Sequence, residues 1–227
     1  FEWLLAMPLH LLALDASSSA CSAALLRQDD SGTECLARFE MTPRAHTRRL
    51  LPMVDEVLAE AQLTPSQLDA IAFGRGPGSF TGLRIAAGAA QGLAFGLDCP
   101  LLGVSTLEAL ALQAHRRYHL RQVYVASWHC LKDAITPMSA EAVLAPESLR
   151  LPGEETDWVG VGSGFTLWER FTVDVQLSMP QHLDDLEPRA EEMAWLAARD
   201  FAAGLGQAAH LVQPVYLRND VAWKKPA

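Results

Sequence analysis

The sequence is poor in basic residues and in cysteine, and it contains no long apolar run. Its 227 residues carry 18 Lys and Arg against 27 Asp and Glu, for a formal net charge of −9. This balance argues against a protein that holds nucleic acid by its own electrostatics. The 4 cysteines form no C-x-x-C pair, which is typical of free thiols in a reducing compartment and predicts a cytoplasmic protein. No run of about 18 apolar residues is uninterrupted, so no membrane span is predicted.

Standard catalytic and nucleotide motifs are also missing. The glycine-rich stretch Gly74–Gly82 has no lysine after its last glycine, and its glycines do not fit G-x-G-x-x-G. No serine lies in a G-x-S-x-G sequence, which argues against a hydrolase built on a nucleophile elbow. The first residues lack the basic region of a secretory signal. Met7 is a candidate start, and residues 1–6 are interpreted as an upstream or added extension.

The order of the apolar patterns predicts an α/β protein. Short apolar runs typical of strands occupy residues 9–14, 22–26, 34–39, 68–73, 101–104, 123–126 and 158–161, and segments with helical spacing occupy 50–61, 83–95, 105–115 and 188–203. Alternation of strands with helices predicts a helix-covered sheet with parallel crossovers. The pattern weakens after Arg116. The predicted units are therefore an N-terminal domain of residues 1–115 and a smaller, more divergent α/β domain with a C-terminal tail, residues 116–227.

The stretch Gly74–Gly82 lies between a predicted strand and a predicted helix. Glycines permit positive φ and close approach of the backbone, and the first turn of a helix offers unpaired N–H groups to an anion. The stretch is therefore either a phosphate-holding loop or a bare structural turn.

The helix after this loop carries glycines at a fourfold spacing. Arg84, Gly88, Gly92 and Gly96 lie on one stripe of the helix. A glycine inside a helix costs about 0.8–1.0 kcal/mol relative to alanine, so glycines in register indicate close packing against another helix. That second helix is either the segment at 50–61 of the same chain or a helix of another chain.

Several segments of the chain resemble those of one known family. They are Leu12–Asp15 with the serines that follow, Arg44–Thr47 before Leu50–Pro52, the loop Gly74–Arg84, Gly103–Leu107 and Pro214–Asn219. The family is TsaB (YeaZ), a subunit of the bacterial machinery that adds threonylcarbamoyl to adenosine in tRNA. The resemblance implies an actin-like, sugar-kinase-like (ASKHA) fold with two related α/β domains, in which mixed sheets are flanked by helices.

The resemblance also implies partners. A family member binds TsaD and, with TsaE, supports transfer of the threonylcarbamoyl group from its adenylate to tRNA, which it meets only through the complex. It forms a homodimer when TsaD is absent, and no membrane partner is implied. The implied partner interface consists of Arg84, Gly88, Gly92, Gly96, His46 and Leu50.

The same resemblance implies that the chain is not catalytic. TsaD carries two histidines four residues apart that hold a metal after the fifth strand, and the matching residues here are Thr106 and Leu110. Neither is a good metal ligand, so no metal is expected there. His115 and His119 also lie four residues apart, but the arginines between them would repel a cation.

Actin-like ATPases place an acidic residue after the first strand, where it organises metal-bound water. Asp15 stands at this position, and it is interpreted first as an Asx turn that closes the strand. The other interpretation is a weak nucleotide site made of Asp15, Ser17, Gly76, Gly78 and Ser79. No tightly bound cofactor is expected, and ATP or ADP, if bound, is expected at a partner interface.

One segment departs from the family pattern. Ser127–Cys130 replaces an Ile-Asp-Ala-Arg-like run, so no role is assigned to it. Two functions of other classes stay open at this point: a self-sufficient glycoprotease-like metallopeptidase and a small-molecule kinase of the same fold.

Overall fold

The computed structural model of the chain describes residues 8–118, 128–131, 134–142, 144–153 and 158–217. The extension at 1–6, His119, the strand expected at 123–126 and Ser127 lie outside the described residues. The strands are β1 Leu9–Asp15, β2 Ala20–Asp29, β3 Gly32–Met41, β4 Ala70–Gly76, β5 Leu101–Ser105, β6 Trp128–Leu131, β7 Ala134–Pro137, β8 Val159–Val161 and β9 Gln181–Leu183. The α-helices are α1 His46–Glu60, α2 Phe80–Leu97, α3 Thr106–Tyr118, α4 Val173–Ser178 and α5 Ala190–Ala202.

A five-stranded sheet in the order β3-β2-β1-β4-β5 forms the centre of the fold. β1 pairs antiparallel with β2 and parallel with β4, and β4 pairs parallel with β5. β2 and β3 form a hairpin that closes where Asp29 pairs with Gly32, and Ser31 N donates a 2.8 Å hydrogen bond to Asp29 Oδ1. The expected mixed sheet is confirmed.

Helices cover both faces of this sheet. β1 is buried on both sides, because Leu12 and Leu14 pack with Val57 and Phe73 on one face, while Leu11 packs with α5 on the other. α1 and α2 cover the first face, and α3 and α5 cover the second. A strand buried on both faces has a nearly continuous apolar sequence, which is what Leu9–Leu14 shows.

Helix α5 belongs to the core of the first sheet, although sequence reasoning placed it in the second domain. Its residues Met193, Ala194 and Ala197 are fully buried against β1 and β2. Its first residue, Ala190, donates a backbone hydrogen bond to Ser22 Oγ at 2.9 Å. A boundary near residue 116 therefore does not divide the chain into consecutive units, because the chain returns to the first core.

A smaller unit is made from the residues between α3 and α5. β8 and β9 pair in parallel, and β6 and β7 pair antiparallel. The fully buried Trp158 packs with Val175 and Met179, and part-buried aromatic side chains surround them. The strand expected at 158–161 is present as β8. Among the described helices, none has the length and apolar character that crossing a bilayer requires.

Candidate functional site

The glycine loop between β4 and α2 is pressed against the end of β1. Ser79 caps α2 by accepting a hydrogen bond from Gly82 N at 3.4 Å, and Ser79 N donates one to Ser17 O at 2.6 Å. A Cβ atom at Gly82 would lie 1.8 Å from Ala16 O, and one at Gly78 would lie 2.4 Å from Ser17 O. These two positions accept only glycine, because any side chain would displace Ala16 or Ser17 in the loop that follows β1.

Asp15 is fully buried beneath the glycine loop. Its Oδ2 accepts hydrogen bonds from Ser17 N at 3.2 Å and from Ser17 Oγ at 3.0 Å, which is the geometry of an Asx turn. Its Oδ1 has no hydrogen-bond partner in the described part of the chain and faces Gly74, where a Cβ atom would lie 2.2 Å away. Burial raises the pKa of this carboxyl to about 7, and the nearby charge of Glu187 adds to that rise, although the bonds from Ser17 lower it.

A cleft of about 1170 Å³ opens between the glycine loop and the smaller unit. One wall carries hydroxyl groups and glycines, and the opposite wall carries Phe165 and Phe171, whose ring centroids are 5.4 Å apart. The hydroxyl wall is lined by Ser17, Ser18, Ser19, Gly78, Ser79 and Thr81. Of the candidate nucleotide residues, Ser17, Gly78 and Ser79 thus line the cleft, whereas Asp15 and Gly76 do not.

Thr106 and Leu110, where the sequence analysis expected no metal, form part of the cleft floor. Thr106 is 1% exposed and Leu110 is 6% exposed, and both line the cleft with Leu107 and Val161. Thr106 Oγ1 donates a 2.5 Å hydrogen bond to Pro77 O in the glycine loop. Within the described ranges, no group of three or more His, Cys, Asp or Glu side chains is placed to hold a metal ion.

Ionisable side chains lie elsewhere along the walls of the cleft. His46 lines it, with Nε2 at 3.0 Å from Ser18 O, and the exposed Arg44 and the half-buried Glu187 line it too. Arg44 adopts a left-handed backbone conformation with φ 66° in the turn before α1. His46 therefore has a place in the cleft, a position that the sequence did not assign to it.

The glycines of α2 face open space. A Cβ atom at Gly88, Gly92 or Gly96 would meet no described atom within 4 Å, and Phe95 on the same side of the helix is 82% exposed. We call Arg84, Gly88, Gly92, Phe95 and Gly96 the glycine face. Packing of the stripe against α1 of the same chain, one of the two alternatives, is therefore wrong.

Two corrections concern which apolar side chains lie at the surface. Leu50 was expected at the partner interface, but it is 1% exposed and packs in the core under α1. The next residue, Leu51, is 49% exposed. Phe95 was missed because a single phenylalanine in an apolar helix is more typical of a core. Its spacing of 11 residues from Arg84, about three helical turns, could have indicated that Phe95 lies on the same side of α2 as Arg84.

Comparison with known proteins identifies the family. A family model described as TsaD, tRNA N6-adenosine threonylcarbamoyltransferase, matches residues 40–128. The tRNA threonylcarbamoyladenosine biosynthesis protein TsaB of Escherichia coli K12 is 39% identical over 231 residues, which cover 96% of this chain and 98% of that protein. The chain belongs to the TsaB family. TsaB of Haemophilus influenzae is 36% identical, with 96% of this chain and 97% of that protein covered.

Solved structures agree with the TsaB assignment. YeaZ from Pseudomonas aeruginosa matches with a TM-score of 0.82 and 40% identity, covering 92% of this chain and 100% of that one. A second structure from the same organism, described as an uncharacterized protein with similarity to peptidase YEAZ, matches with a TM-score of 0.83 and 39% identity. The TsaB resemblance and the actin-like α/β fold that it implied are thereby confirmed.

Proposed function

We propose that the protein is a cytoplasmic, non-catalytic subunit that works in the biosynthesis of threonylcarbamoyladenosine in tRNA. It binds TsaD and, with TsaE, supports transfer of the threonylcarbamoyl group from its adenylate to tRNA adenosine. The TsaB relative of Escherichia coli, which matches over 96% of this chain, supports the place in this pathway.

The open glycine face carries the proposal of partner binding. Gly88 and Gly92 leave the backbone of α2 uncovered, so the axis of a second helix can approach closely. Phe95 offers a large exposed aromatic surface on the same side. An uncovered helix face of this kind suits a helix of TsaD, or a helix of a second copy in a homodimer when TsaD is absent.

The composition of the cleft supports the absence of catalysis. Thr106 and Leu110 supply no metal ligand at its floor, and Asp15 is buried away from it, with its Oδ2 bonded to Ser17. We therefore propose that no metal or cofactor is tightly held by this chain. ATP or ADP, where it takes part, binds at the interface with a partner.

Reconstitution tests this function. Purified TsaD, TsaE and a source of the threonylcarbamoyl adenylate are combined with tRNA, with or without this protein, and modified adenosine is measured after nuclease digestion. We expect modification to depend on the protein, and we expect it to co-purify with TsaD. Modification that proceeds equally well without it would refute the proposal.

Assays of the isolated chain address catalysis separately. Elemental analysis should find no stoichiometric metal, and peptide and phosphate-release assays should show no turnover. One tightly bound zinc or iron per chain together with peptide cleavage would favour a metallopeptidase instead.

A further inference from the structure

The side chain of Arg84 lies beside two aromatic rings that contact each other at the start of α2. Its guanidinium carbon lies 3.9 Å from the centroid of the Phe80 ring and 6.0 Å from that of the Tyr216 ring. Arg84 Nε donates a hydrogen bond to Tyr216 Oη at 3.3 Å, and the two ring centroids are 5.3 Å apart. We call Phe80, Arg84 and Tyr216 the Arg84 cage. In the protein without a bound partner, the cage restricts the orientation of the guanidinium.

Tyr216 reaches the cage because the tail after α5 is bound along the first unit. Val215 N donates a hydrogen bond to Arg75 O at 2.7 Å, and Gln91 Nε2 donates one to Val212 O at 2.8 Å. Both bonds use backbone atoms of the tail, so they hold the chain itself rather than a single rotamer. The phenol, 132 residues beyond Arg84 in sequence, is thereby placed at the start of α2.

The charge of Arg84 has no partner in the described part of the chain. Arg49 pairs with Glu40 and Glu56, and Arg199 pairs with Glu108, but no described carboxylate forms an ion pair with Arg84. Its Nε uses one of the five N–H donors of a guanidinium. Among the described residues, the planar fork formed by the Nη groups has no carboxylate acceptor, and a carboxylate matches that fork with two parallel hydrogen bonds.

The cage stands at one end of the glycine face. Arg84 is exposed, Phe80 is 48% exposed and Tyr216 is 40% exposed, whereas Phe95 at the far end is 82% exposed. The uncovered backbone at the glycines lies between these ends. A helix laid along this face would therefore meet an aromatic side chain at one end and an oriented cation at the other.

We infer that Arg84 is the polar anchor of partner docking and that it receives an Asp or Glu carboxylate from the partner's helix. The tail, through Tyr216, is then part of the partner site. This inference rests on the proposed function, because the partner in question is the one that covers the glycine face. Arginine and tyrosine are enriched among the few residues that carry most of the binding energy of an interface, and the surrounding apolar contacts exclude water from them.

The test uses the full chain and purified TsaD in titration calorimetry. Arg84→Lys should weaken binding at least about tenfold, because an ammonium cannot form the two-bond fork. Arg84→Glu should weaken binding by about 100-fold or more through repulsion of the partner's carboxylate. Tyr216→Phe keeps the ring but removes the hydroxyl that orients Arg84, so a loss of several-fold is expected.

Matched controls separate docking from folding. Arg48→Glu makes the same charge reversal at an exposed residue of α1 and should leave binding close to that of the wild type. Thermal unfolding of the Arg84 variants should stay near the wild-type midpoint, because an exposed side chain contributes little to stability. Recovery of Arg84→Glu binding by a partner variant with one carboxylate changed to Lys would identify the acceptor.

The outcomes distinguish this inference from the proposed function. If wild-type protein binds TsaD and Arg84→Glu binds equally well, the inference is wrong and the function stands. If Arg84→Glu separates only a homodimer and leaves TsaD binding intact, the anchor serves a second copy and the inference is also wrong. If the wild type does not bind TsaD at all, both fail together.

Discussion

The hydroxyl of Thr106 donates a 2.5 Å hydrogen bond to the carbonyl oxygen of Pro77. Thr106 is the first residue of α3 and is 1% exposed, and Pro77 lies in the glycine loop. This bond attaches the glycine loop to the start of α3, which gives Thr106 a structural role.

Thr106→Val should destabilise the protein while keeping its shape. The substitution leaves the Pro77 carbonyl without its donor, which costs about 1–3 kcal/mol. For a chain of this size, that loss lowers the thermal midpoint by about 2–4 °C per kcal/mol. Thr47→Val, at an exposed threonine beside the cleft, is the control and should stay within about 0.5 kcal/mol of the wild type. Equal midpoints for both variants would show that the bond contributes nothing.

The buried carboxyl of Asp15 should make the protein less stable as the pH rises. Burial raises its pKa to about 7 from an ordinary 3.8, so between these values only the folded state holds the proton. The free energy of unfolding therefore falls with pH across this window and levels off above about pH 7. Asp15→Asn removes the titration, so its stability relative to the wild type should improve by about 2–3 kcal/mol between pH 5 and pH 8.

Urea unfolding of the wild type and the variant at several pH values measures this difference. Asp55→Asn, at an exposed carboxylate of α1, is the control and should leave the pH profile almost unchanged. A pH slope that is the same in the wild type and in Asp15→Asn would mean that Asp15 is ionised in the folded protein.

Gly92→Leu should weaken partner binding without weakening the fold. A side chain at Gly92 meets open space within the described structure, so the isolated chain tolerates it and its helix propensity improves. At a helix–helix contact the same side chain overpacks the interface, which costs about 1–3 kcal/mol and weakens binding by roughly 5- to 150-fold. TsaD binding and thermal unfolding are measured together.

Gly82→Ala is the matched comparison for this prediction. Its Cβ atom would lie 1.8 Å from Ala16 O, so it should lower the thermal midpoint. Gly92→Leu could instead lower the thermal midpoint, as Gly82→Ala is expected to do, and leave TsaD binding unchanged. In that case the glycine face would not be the partner surface.

The isolated protein should bind tRNA weakly or not at all. Its net charge is −9, and the cluster of arginines at the start of α1 is partly neutralised because Arg49 pairs with Glu40 and Glu56. Arg44 and Arg48 alone could neutralise only a few phosphates. Fluorescence anisotropy with labelled tRNA at about 0.15 M salt measures the affinity. Submicromolar binding by this chain alone would contradict the prediction.

The local elements were largely predictable, since local patterns determine them. The apolar run Leu9–Leu14 predicted β1, and the glycines of Gly74–Gly82 predicted a tight passage from β4 to α2. The placement of α5 was not predictable, because an amphipathic helix pattern does not specify which sheet it will cover. The interface role of Leu50 was misassigned because it was taken from the family resemblance, whereas helical spacing puts Leu50 on the buried side of α1 with Val54 and Val57.

The candidate site was predictable only where it is local in sequence. The glycines of the stripe repeat within one helix, so helical spacing alone predicted that they lie on the same side of α2. The Arg84 cage joins residues 132 positions apart, and the cleft combines Ser17 with Phe165, so neither could be derived from spacing. Burial of Asp15 likewise depends on the whole sheet, so it could not be derived from the residues next to Asp15 in the sequence.

The return of α5 to the first sheet sets the order in which the protein can fold during synthesis. On the ribosome, β1 to α3 emerge first, but Ala13, Ala72 and Leu102 stay partly uncovered until Met193 and Ala197 are made. The backbone of Leu101 also lacks its partner until Gln207 is made, because these two residues exchange backbone hydrogen bonds of 2.8 and 3.1 Å. The nascent chain therefore exposes part of its apolar sheet until α5 and residues 203–207 have left the exit tunnel, and only then can the native packing of this sheet be completed.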